Sequence, residues 1–285
     1  MCGICGAYYF HSQKPVGEDL IDGMCRQIIH RGPDDQGIFV EGALGLGMRR
    51  LSIIDLVTGS QPIFNEDQTI CTVFNGEIYN FQELRSDLIQ RGHRFATEGD
   101  TEVIVHLYEE YGIDFVTHLN GMFAIALWDA GRRRLVIVRD RLGQKPLYYA
   151  NTSDGIVFGS ELKCITECKA LCRDIDHESV YHFFTLGYIP HPWTIYRNVH
   201  QLPPAGRLIV EADRQTVKLD RYWQVNTEID RSLSREDAGE ELRRLVDDSV
   251  RRRMISDVPL GAFLSGGLDS SIIVALMAQH SSSPV

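Results

Sequence analysis

A cysteine at position 2, directly behind the initiator methionine in Met1-Cys2-Gly3-Ile4-Cys5-Gly6, constrains this chain more than any other feature. Methionine aminopeptidase removes Met1 best when the next side chain is small, and cysteine is small. Cys2 then becomes the mature N-terminus, with its thiol beside its own α-amine. That amine has an ordinary pKa of about 7.7–8.0, so a useful fraction is neutral near pH 7. One residue then carries both nucleophile and general base. Gly3 and Gly6 allow close backbone approach around the thiol. On its own the hexapeptide fits a buried first strand with a chance cysteine equally well.

The pattern behind it reads as strands and helices in blocks. Residues 2–9 are apolar and small, as in a buried strand. Leu20, Ile21, Met24 and Ile28 fall at helical spacing and stop before the turn-rich His30-Arg31-Gly32-Pro33-Asp34. Leu44, Leu46 and Met48 alternate with glycines and lead into Arg49-Arg50-Leu51-Ser52-Ile53. A strand over 70–74 runs into Asn75-Gly76-Glu77, where Asn-Gly predicts a turn. Helical stripes follow at Phe81, Leu84, Leu88, Ile89 and at Ile104, Leu107, Tyr108, Tyr111, ended by Gly92 and Gly112. Two apolar runs, 121–128 and 135–138, flank Asp129-Ala130-Gly131 and predict a hairpin. Blocks of this kind favour α+β layers over strict α/β alternation.

Residues 185–225 carry Pro190, Pro192, Pro203 and Pro204 among aromatics and read as an ordered, irregular connector. Ser234-x-x-Asp237 then resembles a capping box. It opens a helix with Leu242, Leu245, Val246 and Val250 on one stripe. A strand over 258–264 is expected to feed Ser265-Gly266-Gly267-Leu268-Asp269-Ser270-Ser271 and a second helix through Ile272, Ile273, Leu276 and Met277. Strand, Ser/Gly-rich loop and helix is the geometry of a phosphate cradle. It is no Walker A loop, since GxxxxGK[ST] is absent. The spacing SGGxDS matches the pyrophosphate loop of enzymes that split ATP into AMP and pyrophosphate. Asp269 is placed either to help hold Mg²⁺ or to cap the helix, and both roles stay open. The competing reading is a Gly-rich turn with a serine cap.

Bulk properties narrow the class. A formal net charge of -10 argues against a general nucleic-acid binder. No stretch approaches the ~20 apolar residues of a membrane span, and the N-terminus is no signal peptide. Seven cysteines in 285 residues make no disulfide scaffold and favour a reducing compartment, so the cytoplasm is expected. Cys164, Cys168 and Cys172 share one face if helical; that spacing suits a half-buried helix better than zinc, and no metal ligand is assigned.

The two motifs together resemble the glutamine-hydrolysing asparagine synthetases. The resemblance rests on Cys2-Gly3-Ile4, 30–34, Arg50-Leu51-Ser52-Ile53, Asn75-Gly76-Glu77-Ile78-Tyr79-Asn80, 99–102, 121–123, 139–143 and 265–271. It implies an N-terminal-nucleophile αββα sandwich over 1–212, a class II glutamine amidotransferase domain. A connector is expected over 213–235, and the start of an α/β ATP-pyrophosphatase (PP-loop) domain over 236–285. By the resemblance, Cys2 attacks the glutamine side-chain amide, and Asn75 and Gly76 form the oxyanion hole. Arg50 pairs with the α-carboxylate of glutamine, and Glu77 and Asp100 receive its α-ammonium. Leu51, Ser52, Ile53 and Ile54 line the pocket, and 31–34 order the loop beside Cys2. ATP, with Mg²⁺, would sit on Leu264, Ser265, Gly266, Gly267, Asp269 and Ser270. The implied reaction consumes ATP, aspartate and glutamine, with ammonia passing internally to an adenylated carboxylate. A homodimer is the implied assembly.

The chain stops at Val285, one helix past the loop, so the sequence predicts a fragment or truncated copy limited to glutaminase activity. Residues 236–280 are expected to leave apolar surface exposed. Three other readings compete. The same architecture amidates other carboxylates, on sugar-linked or peptide substrates. A partner making phosphoribosylamine or glucosamine phosphate is disfavoured by 265–271, since those partners use no ATP-pyrophosphatase loop. An inactive binding or regulatory chain would retain Met1 or carry an unreactive thiol.

Overall fold

The computed structural model describes residues 2–229 and 232–281. Met1, whose removal the Cys2 reading requires, lies outside the described residues, as does 282–285. The chain divides into two compact units, the first formed by 1–52 and 57–224, the second by 53–56 and 225–285.

The first unit is built on two six-stranded antiparallel sheets. One contains β1 (Gly3–Tyr8), β2 (Asp35–Glu41), β3 (Leu44–Arg50), β8 (Tyr148–Asn151), β9 (Ile156–Gly159) and β10 (Val199–Gln201), in the order β10-β8-β9-β1-β3-β2. The other contains β4 (Ile63–Phe64), β5 (Ile70–Ile78), β6 (Gly121–Asp129), β7 (Arg134–Arg139), β11 (Gly206–Glu211) and β12 (Thr216–Arg221), in the order β12-β11-β7-β6-β5-β4.

Strand periodicity sorts the core. Side chains alternate across a strand, so Ile4 and Tyr8 of β1 join Leu46, Met48, Val73, Ala124 and Ile137 in one buried cluster between the sheets. Cys5 and Ala7 face the other way, into a cluster with Ile21, Met24, Cys25 and Ile28. Those last residues belong to α1 (Glu18–Arg26) and the turn behind it. Each fully buried Ile, Leu or Met is worth about 1.5–3 kcal/mol. On the second sheet α3 (Val103–Tyr111) packs against β5, and α2 (Phe81–Gln90) packs against α3. The layers are helix, sheet, sheet, helix, as expected of an αββα sandwich.

Asn75-Gly76 is not a turn. β5 runs straight through it, pairing Asn75 with Ala124, Gly76 with Phe123 and Glu77 with Met122. The stretch 185–225 is less irregular than its prolines imply, since β10, β11 and β12 lie within it. Residues 213–221, read as connector, belong instead to the second sheet: β12 pairs with β11 along its whole length, and the first unit ends at Gln224. The cysteine trio does not share a helix face. α4 covers only Leu162–Ile165, and the next helix, α5 (His177–Leu186), begins beyond the trio; Cys164 and Cys168 are buried beneath α1, and Cys172 is exposed.

The second unit contains α6 (Arg235–Arg252) and α7 (Leu268–His280). The Ser234 hydroxyl accepts from the Asp237 N–H at 3.1 Å, as the capping signature predicts. The expected strand over 258–264 is absent among the described residues. A strand needs a ladder partner, and none is paired to it there. Phe263, Leu264 and Leu268 are exposed, in line with the expected apolar surface. No helix is long and apolar enough to cross a membrane among the described residues.

Candidate active site

Cys2 sits at the mouth of β1, half-buried, against the cluster between the sheets. Its surroundings fix both ends of the residue. Arg31 Nε donates to the Cys2 carbonyl at 2.9 Å, and Arg31 Nη1 reaches Glu161 at 3.2 Å. The Leu51 N–H donates to Cys2 Sγ at 3.3 Å. Burial pushes the Cys2 thiol up, while the Leu51 N–H, Lys145 and Arg50 pull it back toward the thiolate.

β5 supplies the facing wall. Cys71 and Val73 point into the cluster between the sheets, and period-two alternation puts Asn75 and Glu77 on the same face. Asn75 is 1 % exposed. Neither its Oδ1 nor its Nδ2 has a hydrogen-bond partner among the described residues. A buried amide left so costs about 1–3 kcal/mol. Gly76 stands at a close approach of β5 and β6: a Cβ there would lie 2.1 Å from the Met122 carbonyl oxygen.

Charges cluster around this face. Arg50 is buried at the end of β3. Asp100 is buried and accepts from the Ile78 N–H at 2.9 Å. Burial, reinforced by the Glu77 carboxylate, pushes Asp100 up to about 7. Lys145 is a residue that sequence reasoning missed. It is 5 % exposed, and burial lowers its pKa against the pull of Glu77 and Cys2. Its position follows from the 139–145 loop. Asp140 accepts from the N–H groups of Phe123, Leu142, Gln144 and Lys145. Arg139 donates to the carbonyls of Gly143, Lys145 and Leu202 at 2.6–2.7 Å. The only sequence signal was the 139–143 motif, which stops two residues short.

The structure therefore groups Cys2, Arg50, Leu51, Asn75, Gly76, Glu77 and Asp100 in the first unit. The Ser52 N–H donates to Asp34 at 2.9 Å. Ile53 and Ile54 fall in the second unit, where the Ile53 carbonyl accepts from the Asp257 N–H at 3.0 Å. Chemically, the first group offers a nucleophile, an unspent buried amide, a guanidinium and two carboxylates, one of which is held near its neutral form.

The second unit carries the other motif. Ser265 and Ser270 hydroxyls lie 2.9 Å apart, and the Gly267 N–H reaches Ser265 Oγ at 3.4 Å. Gly266 has φ +81, the left-handed region that favours glycine. Gly267 takes the cap position of α7, so Asp269 does not cap it. Leu264 through Asp269 are exposed. Exposed serine hydroxyls, a glycine pair and the start of a 13-residue helix are a donor set that fits a phosphate group.

The family model described as glutamine amidotransferase domain matches residues 1–223, and that described as asparagine synthase matches 241–285. The chain is 38% identical over 283 residues to asparagine synthetase [glutamine-hydrolyzing] 3 of Bacillus subtilis, covering 98% of this chain and 46% of the relative. It is 39% identical over 300 residues to putative asparagine synthetase [glutamine-hydrolyzing] 2 of Methanocaldococcus jannaschii, covering 98% and 57%. It thus spans about half the length of the curated relatives it matches. Among solved structures it resembles glutamine phosphoribosylpyrophosphate amidotransferase from B. subtilis, with TM-score 0.55 and 16% identity over 99% of this chain and 65% of that one. The allosteric regulatory enzyme of purine biosynthesis gives TM-score 0.57 at 18% identity, over 99% and 64%. At such identity these two speak for the fold.

Proposed function

The chain belongs to the glutamine amidotransferase domain family, and from that premise we propose that it hydrolyses glutamine at Cys2 to supply ammonia to an asparagine synthetase. The observation that carries the reading is Asn75: a buried side chain with its amide unspent, on the strand face that meets Cys2.

In this reading the α-amine of Cys2, freed by removal of Met1, takes the thiol proton. The thiolate attacks the side-chain carbonyl carbon of glutamine. The Asn75 amide and the Gly76 N–H receive the oxyanion, each such donor being worth about 2.7–4 kcal/mol. Collapse of the tetrahedral species expels ammonia, which carries the proton away, and leaves a γ-glutamyl thioester. Water then hydrolyses it to glutamate. Arg50 holds the α-carboxylate, Glu77 and Asp100 hold the α-ammonium, and Leu51 and Ser52 line the pocket. A substrate ammonium beside Asp100 would return that carboxyl to its charged form, so binding and ionisation support each other.

The second half-reaction belongs to the whole protein. The asparagine synthase match over 241–285 and the relatives' names support ATP as co-substrate and aspartate as acceptor. Leu264, Ser265, Gly266, Gly267, Asp269 and Ser270 would hold the pyrophosphate, with Mg²⁺ as counter-ion. The cytoplasm is the proposed location and a homodimer the proposed assembly. The acceptor distinguishes this from amidation of another carboxylate.

Glutamate release from glutamine, measured beside a Cys2→Ala variant with intact mass to follow Met1, tests the reading. Release without ATP that disappears in the variant is the expected result. Equal release from both, or none from a folded chain with Met1 removed, would overturn it.

A further inference from the structure

We propose that Glu66, His93, His106 and Glu109 form a binding site for a divalent cation of the zinc class, independent of glutamine chemistry. The four offer one ligand atom each, and those atoms all lie within 4.8 Å of one another. His106 Nδ1 stands 3.0 Å from Glu109 and 3.5 Å from Glu66. His93 Nδ1 stands 3.5 Å from Glu66 and 3.6 Å from Glu109. Four ligands around zinc at bond lengths of about 2.0–2.2 Å would be separated by roughly 3.3–3.6 Å, the edge of a tetrahedron. These four histidine–carboxylate separations lie near that edge and every other pair lies within 4.8 Å, so side-chain shifts alone can seat a cation.

The site is built beyond its four ligands. A metal-bound histidine characteristically gives its other nitrogen to a carboxylate, which fixes ring and tautomer. His93 meets this condition, while His106 Nε2 is buried beside a carboxylate without a hydrogen bond to it. His93 Nε2 is 3.2 Å from Glu110 Oε1, and His106 Nε2 is 3.5 Å from Glu102 Oε1. Glu102 is itself clamped by the Ala96 N–H, the Thr97 N–H and the Thr97 hydroxyl at 2.6–2.8 Å. The ligand carboxylates are steadied too: Asn65 Nδ2 donates to Glu109 at 2.9 Å, and the Arg94 N–H donates to Glu66 at 2.9 Å. His106 is fully buried, with Phe95 edge-on at 4.5 Å and His93 at 4.8 Å between ring centroids. Two neutral imidazoles and two carboxylates balance a divalent charge, and nitrogen-oxygen sites of this kind suit zinc over calcium or magnesium.

The ligands come from three segments. Glu66 follows β4, His93 follows α2, and His106 and Glu109 are one turn apart on α3. A cation would tie these together and, through Glu102, brace the segment that carries Asp100. Its role would be structural, since all four positions have protein ligands.

Without a cation the same distances describe histidinium–carboxylate pairs, and that alternative makes a different prediction. The experiment uses the full chain, stripped with a chelator, reloaded with ZnCl₂ and passed through gel filtration before elemental analysis. Co²⁺ serves as a spectroscopic probe. The expected result is one equivalent of zinc retained, intense tetrahedral Co²⁺ absorption without thiolate charge-transfer bands, and a Tm raised by zinc. His93→Gln and Glu109→Gln, each with wild-type far-UV circular dichroism, should lose retention and the zinc-dependent rise in Tm. Glu110→Gln, which leaves the ligands intact, should weaken affinity about 10–100-fold. No zinc retained by the wild type, retention unchanged in the two ligand variants, or thiolate bands pointing to the Cys5–Cys25 pair would overturn the proposal.

Discussion

The Leu51 backbone N–H donates to Cys2 Sγ at 3.3 Å, so the residue after β3 aims the thiol that opens β1. Burial alone would leave that thiol neutral and inert. The Leu51 dipole and the cations Lys145 and Arg50 oppose burial without overcoming it, and the thiol stays above its ordinary value. Removing one cation therefore has a defined sign. Lys145→Met should move the acidic limb of the pH profile of kcat/KM for glutamine to higher pH, because the thiolate loses a stabilising charge. The same profile for Lys145→Arg should stay near the wild type. An unmoved limb in Lys145→Met would mean that Lys145 acts on the loop alone.

Asn75→Ala should separate activity from stability. Losing one oxyanion donor lowers kcat about 10²–10³-fold, with KM for glutamine little changed. The amide it removes is buried and unpaired, which costs the folded state about 1–3 kcal/mol. Thermal unfolding of the variant should therefore occur at or above the wild-type Tm. A fall in both activity and Tm would show that Asn75 serves packing.

Asp100 gives a pH window. Its carboxyl is raised from the ordinary 3.8 to about 7, so between those values the folded state binds more protons than the unfolded one. Stability contributed by the neutral form is fully present below 3.8 and is lost as pH rises through about 7. Tm plotted against pH should fall across this window in the wild type and flatten in Asp100→Asn. KM for glutamine should run the other way, dropping as pH rises toward 7 and Asp100 gains the charge that meets an ammonium. Asp100→Asn should raise KM and abolish that slope. A wild-type KM that does not vary with pH would sink the assignment.

Much of the fold was legible because burial writes itself into period. The hairpin of β6 and β7 and helices α1 to α3 show in apolar spacing, and their packing follows from it. What stayed hidden had weak alternation or a misleading local signal. β2 lies at a sheet edge, half-exposed along most of its length, so no clean pattern marks it. Asn75-Gly76 signals a turn locally, yet nine paired positions with β6 outweigh that preference. Lys145 reads as a surface lysine, and its burial arises from Arg139 and Asp140 folding the loop inward. The histidine–glutamate cluster spans 66 to 109 and shows only as an i, i+3 pair on α3, which is unremarkable in a helix.

Gly76 is the position where fold and chemistry meet most narrowly. Its backbone is not among those with positive φ, so conformational freedom is not what glycine supplies. What it supplies is the missing Cβ, which would stand 2.1 Å from the Met122 carbonyl oxygen and 2.8 Å from Phe123 Cα. Both are backbone atoms of β6 and cannot rotate away. Gly76→Ala must therefore prise β5 from β6 around the Asn75–Ala124 and Glu77–Met122 pairs. Overpacking of this kind costs about 1–3 kcal/mol, and at roughly 2–4 °C per kcal/mol the Tm should drop several degrees. The same displacement moves the Gly76 N–H and the Asn75 amide away from Cys2, so glutamate release should fall together with Tm. Asn75→Ala by contrast should lose activity alone, and the pair of variants measured side by side distinguishes a strand that holds the site from a side chain that works in it. A Gly76→Ala variant with wild-type Tm and activity would contradict the close approach of the two strands.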